Sequence, residues 1–251
     1  MVLLLLVDLD ADLTALRPLG GFFLLRTGAG PRAALPTLTQ AYAAEKEEVY
    51  EHVVTFRVRK VGAALRAPEP RVAASVAQQG LAARLWSIAL GCAVLYGRMP
   101  DLDARLLRWD PDGSAPDDLW LTEVRPRPGD AAHLAQAVLE GHLEPLAAAL
   151  RTRYRIAPGL LRGNAASALT GAARQLESWA RAHGRADAVA RTRALTADLL
   201  AHPLLAGTGT LTGTAFRRRS CCLYYRVPGG GVCGDCCFPR PPRSSPGAAS
   251  G

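Results

Sequence analysis

From about Thr39 to Leu65 the chain runs through Ala, Glu, Val and Leu without proline or repeated glycine, a texture that favours helix. Pro68 and Pro70 end that run. A second helix is expected from about Arg71 to Tyr96, where Val72, Val76, Leu81, Leu85, Ile88 and Leu95 recur near helical spacing and Gly97 with Pro100 closes the pattern. Its apolar face is broad, which predicts a central position. The texture then changes. Leu106, Leu107 and Trp109 precede the turn signal Asp110-Pro111-Asp112-Gly113, and Leu119, Trp120, Leu121 and Val124 follow it, so residues 105–124 read as a β-hairpin with a long loop. Helices resume at about Asp130 to Arg155, Leu160 to His183 and Ala186 to His202, with Asp130 placed to cap the first. A short strand candidate lies earlier, at Phe22 to Arg26.

The fold class that follows is mainly α with a small antiparallel β element, an α+β chain. A multi-helix body over residues 1–214 is followed by a short C-terminal cysteine-rich loop over 215–240 and a tail over 241–251. Pro203 to Thr214 reads as a linker from its Gly and Thr content, and the Pro, Ser, Gly and Arg of Phe238 to Gly251 read as disordered. No internal repeat is visible.

Composition narrows the class. At 251 residues and 49% apolar, the chain can bury a real core, and collagen-like, coiled-coil and globally disordered readings are excluded. The net charge of +8 comes almost wholly from arginine, Lys46 and Lys60 being the only lysines. A G+C-rich genome produces that skew by itself, and no aromatic-interleaved basic stripe points to nucleic acid. The apolar run Val2 to Val7 has no preceding cation and is followed at once by Asp8, Asp10 and Asp12, unlike a secretory leader. No later segment has the roughly 18 uninterrupted apolar residues of a membrane span. The expectation is a soluble cytoplasmic protein with no stable membrane insertion. In a reducing compartment clustered cysteines point to metal or redox chemistry.

Five thiols, Cys221, Cys222, Cys233, Cys236 and Cys237, lie in one short span, while Cys92 stands alone as a small buried hydrophobe. Four thiolates from one loop suit a zinc ion or an iron-sulfur cluster, and a disulfide reading also stays open. Structural zinc sites usually present two separate C-x2-4-C knuckles, and here that form is found at Cys233 to Cys236 and not at Cys221-Cys222. Adjacent Cys221 and Cys222 diverge in extended backbone, which is awkward for one small ion and suits a larger core with two irons. Gly229, Gly230, Gly231 and Gly234 let backbone amides approach sulfur. An oxidised [2Fe-2S] core with four thiolates carries about −2 and the reduced one about −3. Arg217, Arg218, Arg219 and Arg226 lie beside it in sequence, and cations there stabilise the reduced state. His52, His133, His142, His183 and His202 show no ligand spacing and read as surface or helix-end residues.

The segment from Phe216 to Cys236, with its C-C-x10-C-x2-C pattern, resembles the C-terminal signature of the FhuF family of ferric-siderophore reductases. Gly80-Leu81-Ala82-Ala83-Arg84-Leu85-Trp86-Ser87 and Arg162-Gly163-Asn164-Ala165-Ala166-Ser167-Ala168 are also similar to actinobacterial-type members, so the resemblance extends over about residues 72–238. It implies a cytoplasmic oxidoreductase with one [2Fe-2S] cluster held by Cys221, Cys222, Cys233 and Cys236. It further implies a ferric hydroxamate siderophore as substrate and an electron-donor protein such as a ferredoxin or flavin reductase. Cys237 departs from the pattern: it either substitutes for Cys236 or points away as a spare thiol, and the x2 spacing favours Cys236. Outer-sphere electron transfer needs no acid, base or nucleophile, so no catalytic side chain is expected. Gln79, Ser87 and Asn164 are candidates for a substrate platform, against structural readings in which they cap or cross-link helices and Trp86 is core. A zinc-stapled siderophore-binding module and an iron-sulfur sensor are the alternatives. Aerobactin-type siderophore synthetases have a C-terminal region related to the FhuF body, but this chain is short for their nucleotide-binding part and shows no G-x4-G-K-[ST] loop, so a biosynthetic role is not expected.

Overall fold

A computed structural model describes residues 13–28, 34–43 and 51–242. The run Val2 to Val7, residues 44–50 of the expected first helix and the tail beyond Pro242 lie outside the described residues. The flanks of that helix are α1 (Leu38–Tyr42) and α2 (Glu51–Leu65). Thr37 starts α1 through a capping box, its hydroxyl accepting the Gln40 amide at 3.2 Å while the Gln40 side chain accepts the Thr37 amide at 2.8 Å. Then comes α3 (Pro70–Tyr96), with proline in its first turn and a left-handed Gly97 closing it.

The second helix is central, as its broad apolar face predicts: every residue from Arg84 to Val94 is buried, and α3 packs against α2 and several later elements. It is long and apolar enough to cross a bilayer, but most of that window is covered by the protein itself. One charge sits inside it. Arg84, 1% exposed, donates to Asp118 at 2.9 Å and also to the carbonyls of Gly21, Phe22 and Pro116. This arginine therefore ties two loops to α3, and losing either partner alone would leave an unpaired buried charge at roughly 3–5 kcal/mol.

The same contact explains a correction. Only Arg26 of the expected strand 22–26 is in a strand, β1 (Arg26–Thr27), because the chain turns at Gly20 and Arg84 takes the carbonyls of Gly21 and Phe22. β2 (Arg98–Pro100) follows α3. The hairpin expected at 105–124 is β3 (Leu107–Trp109) against β4 (Leu119–Leu121), antiparallel with Leu107 opposite Leu121 and Trp109 opposite Leu119. β1 pairs with β4 in parallel, so this sheet is not purely antiparallel, and β5 (Pro126–Pro128) pairs antiparallel with β2.

Asp130 caps α4 (Ala131–Leu134), accepting the His133 amide at 3.0 Å. The expected single helix from 130 to 155 is interrupted: Ala135–Leu143 is π-helical and passes into α5 (Glu144–Tyr154). Pro145 has no N–H to give and its ring crowds the preceding turn, which the wider ladder relieves. α6 (Pro158–Ala182) and α7 (Ala186–Leu200) follow, α6 packing against α3 and α7. The region read as a linker is instead the start of a hairpin, β6 (Gly209–Thr212) with β7 (Ala215–Arg218). Gly209 is there for clearance, since a Cβ would lie 2.4 Å from the Phe216 ring and 2.5 Å from the Arg217 carbonyl.

His142 is likewise not a surface residue. It is fully buried, with Nε2 2.5 Å from the Leu102 carbonyl and Nδ1 3.0 Å from the Tyr42 hydroxyl. That geometry suits a neutral ring donating from Nε2 and accepting at Nδ1. Burial lowers its pKa from 6.5 to about 4. The unfolded chain therefore takes up a proton as pH falls through 6.5, while the folded one resists until about 4. Stability present above pH 6.5 should be lost across that window, by roughly 3 kcal/mol at most. Denaturation midpoints measured across it should flatten in His142→Gln; an unchanged slope would remove His142 from the account.

Candidate metal centre

The cysteine segment leaves β7 at Arg218, whose amide donates to the Asp235 carbonyl at 3.0 Å and so pins the two ends of the loop together. Between them the chain reverses through Leu223, left-handed at φ 68, and a 3-10 turn at Tyr224–Arg226. A tight turn closed by the Cys236 amide on the Cys233 carbonyl at 3.0 Å aligns the C-x2-C pair.

All five sulfurs converge. Cys222 and Cys233 lie 3.5 Å apart, and the sulfurs of Cys221, Cys236 and Cys237 all lie within 4.8 Å of one another. None is in a disulfide, and Cys92 is buried in α3 as expected. Backbone amides donate to the sulfurs, Leu223 to Cys221 at 3.3 Å and Phe238 to Cys236 at 3.4 Å, and the Tyr224 amide favours the Cys222 thiolate. For Cys237 the favouring amide is its own. The fifth thiol does not point away, but it lacks the two-residue amide relation that three of the expected ligands share.

Hydrogen bonds from Cys221 and Cys233 drive the Cys222 thiol far below its ordinary pKa, helped by the Arg218 charge. Sharing those bonds pushes Cys221 and Cys233 up, with burial adding to it. One thiolate forms readily and the next ones need a cation between them, which is the behaviour of a ligand set.

The loop is seated on α3 and α6 by polar side chains set in apolar helices. Ser75 donates to the Cys222 carbonyl at 2.8 Å and is itself held by Asn164, which donates to its hydroxyl at 3.1 Å and its carbonyl at 3.0 Å. Asn164 accepts from Arg218 Nη2 at 2.5 Å. Ser167 donates to Asp235 at 2.7 Å, with Gln79 3.4 Å behind it and Arg174 3.5 Å from the other carboxylate oxygen. Ser220 donates to the Gly159 carbonyl at 3.0 Å. This close seating requires Gly163, where a Cβ would lie 2.2 Å from Ser220 Oγ.

Asn164 and Gln79 thus serve the loop, while Trp86 and Ser87 are buried in α3; for Asn164, Trp86 and Ser87 the structural reading replaces the platform reading. Ser75, Ser167, Asp235 and Arg174 were not singled out from sequence. The available signal was the isolated polar residue within an apolar helix, and Asp235 as the one acid inside the cysteine motif.

Of the four arginines beside the motif, only Arg218 is interior. Arg226 pairs with Glu69, and Arg217 and Arg219 are exposed. Arg218 is 2% exposed and its Nε and Nη1 have no partner among the described residues, yet its charge is felt at Cys222, Cys233 and Cys237. A buried cation with idle donors is costly unless an anion faces it. A polyanionic iron-sulfur core beside these thiols supplies that anion, so the residues fit the group.

Gly163→Val should unseat the loop by overpacking, costing roughly 1–3 kcal/mol. Iron and sulfide content should fall sharply while the helical circular dichroism of the body is unchanged. Full loading in that variant would show that the close seating on α6 is not required.

Residues 218–238 match a family model described as the FhuF 2Fe-2S C-terminal domain. The match begins at Arg218 and includes all five clustered cysteines; the helical segments between 72 and 217 fall outside it. No curated protein matches the chain. Donor set, orphaned cation and family match agree: the C-terminal segment of this mainly α-helical protein is similar to the FhuF 2Fe-2S C-terminal domain, and its cofactor is a [2Fe-2S] cluster.

Proposed function

We propose that this chain is a cytoplasmic one-electron reductase of ferric siderophores of the hydroxamate type, with Cys221, Cys222, Cys233 and Cys236 as the cluster ligands. The observation that carries the reading is the convergence of these thiols in a loop at the protein surface, where Cys221, Cys233 and Cys236 are only partly buried. When bound there, the [2Fe-2S] group supplies one electron at a time.

A hydroxamate siderophore wraps Fe(III) in hard anionic oxygens and holds the larger, less charged Fe(II) far more weakly. One electron passed to the ferric complex therefore releases the metal as Fe(II), and a donor protein such as a ferredoxin or flavin reductase restores the electron. No proton need move in that exchange, which agrees with a site built from thiols, amides and one guanidinium. The residues hold and insulate. Ser75, Asn164 and Ser167 fix the loop against the helices, Leu223 packs against the apolar core, and Tyr224 and Tyr225 after it are half-buried. The ferric complex would meet the partly exposed cysteine loop, because Asn164 and Ser87 are buried beyond its reach.

Purified anaerobically, the protein should be brown and give a spin-one-half paramagnetic signal on one-electron reduction, which a ferric hydroxamate should then abolish with release of Fe(II). Cys222→Ser should lose both cluster and reduction; survival of both would refute the ligand assignment. Cys237→Ser should retain most of each, and loss of the cluster there would transfer the fourth ligand to Cys237. A reduced protein stable to ferric hydroxamates would refute the reductase reading and leave the cofactor standing.

A further inference from the structure

Arg218 is the last residue of β7 and the first of the cysteine segment, and its surroundings set it apart from the other arginines nearby. Its guanidinium is enclosed, with Nη2 bonded to Asn164 Oδ1 at 2.5 Å and to the Leu160 carbonyl at 3.3 Å. Both anchors lie on α6, and Asn164 is held in turn through Ser75, which grips the Cys222 carbonyl at 2.8 Å. The guanidinium is thus fixed on one edge by the helices and on the backbone side by Asp235, while Nε and Nη1 are idle among the described residues. A carboxylate that could neutralise it is not within salt-bridge distance among those residues; the buried Asp235 side chain is engaged by Ser167 and Arg174.

We propose that Arg218, aimed by Asn164, is the positioning residue that sets the reduction potential of the bound cluster: a buried, permanently charged group at the start of the cysteine segment, with two N–H donors idle among the described residues. The inference rests on the [2Fe-2S] reading of the segment. Reduction adds one negative charge to the core, and a fixed cation nearby stabilises the product more than the reactant. Burial is what makes this cation count, since the exposed charges of Arg219 and Arg226 are screened by water and salt, and Arg226 is also neutralised by Glu69. Arginine suits the position because it cannot lose its proton and presents a rigid fork of donors.

The test is a redox titration of anaerobically purified holoprotein, followed by visible absorption. Arg218→Gln should lower the equilibrium constant for reduction about tenfold or more, whereas Arg219→Gln and Arg226→Gln should change it less than about threefold. Arg218→Lys keeps the charge and should recover to within about threefold of the original, a rescue that a purely structural fork would not show. Should Arg218→Gln fail to take up the cluster, Asn164→Asp decides: it retains the bond to Arg218 and cancels its charge, and should lower reduction to a similar degree. An equilibrium moved less than threefold in both Arg218→Gln and Asn164→Asp, or shifted upward, would overturn the proposal. A wild-type protein with no cluster absorption would instead overturn the cofactor reading beneath it.

Discussion

A permanently charged guanidinium buried where β7 meets α6, at the start of the cysteine segment, is the constraint on which the rest of the site depends. Burying Arg218 without a countercharge would be a severe liability in an ordinary domain. Here the strand that carries it, the Gly163 notch that admits it and the Asn164 amide that orients it are all arranged around that one cation. Bonding to Cys222 makes Cys221 and Cys233 harder to ionise, and the buried cation is costly to leave unpaired. A metal-sulfur core of net negative charge would answer both, so the loop and its seat are together complementary in charge to such a core.

The helical body separates its polar interior into two kinds. Arg84 with Asp118, and His142 with Tyr42 and the Leu102 carbonyl, tie loops to helices within the body and are not in contact with the cysteine loop. Ser75, Asn164 and Ser167 differ: they stand on α3 and α6, the helices most extensively packed against each other, and each reaches the cysteine segment directly or through one neighbour. A short metal-binding loop has too little apolar surface to fix its own shape. Hydrogen bonds from a rigid helical pair supply the missing order, and small residues such as Gly163 let the loop lie close enough to use them.

Much of this was legible from the chain. The helix boundaries at Pro70, Gly97 and Asp130, the hairpin around 107–121 and the convergence of Cys221, Cys222, Cys233 and Cys236 follow from local chemistry: cap residues, turn residues and ligand spacing act over a few positions. Where expectation failed, a non-local partner had intervened. Phe22 to Leu25 left the strand because Arg84 claimed two carbonyls, and the supposed linker became β6 because Gly209 made room for Phe216. His142 went inside because a π-helical stretch carried it to Leu102.

The sequence by itself placed five thiols in one short span and narrowed them to metal or redox chemistry, since the number, type and spacing of thiols are local properties; the choice of a [2Fe-2S] cluster came from the resemblance of that span to a known motif. Four arginines near the motif looked equivalent there, and Asn164 could not be told from a helix cap. Only the tertiary structure decided that one arginine is buried and three are not, that Asn164 and Ser75 grip the loop, and that Cys237 lies with the other sulfurs. The reason is physical: the worth of a charge depends on what encloses it, and enclosure is made by segments distant in the chain.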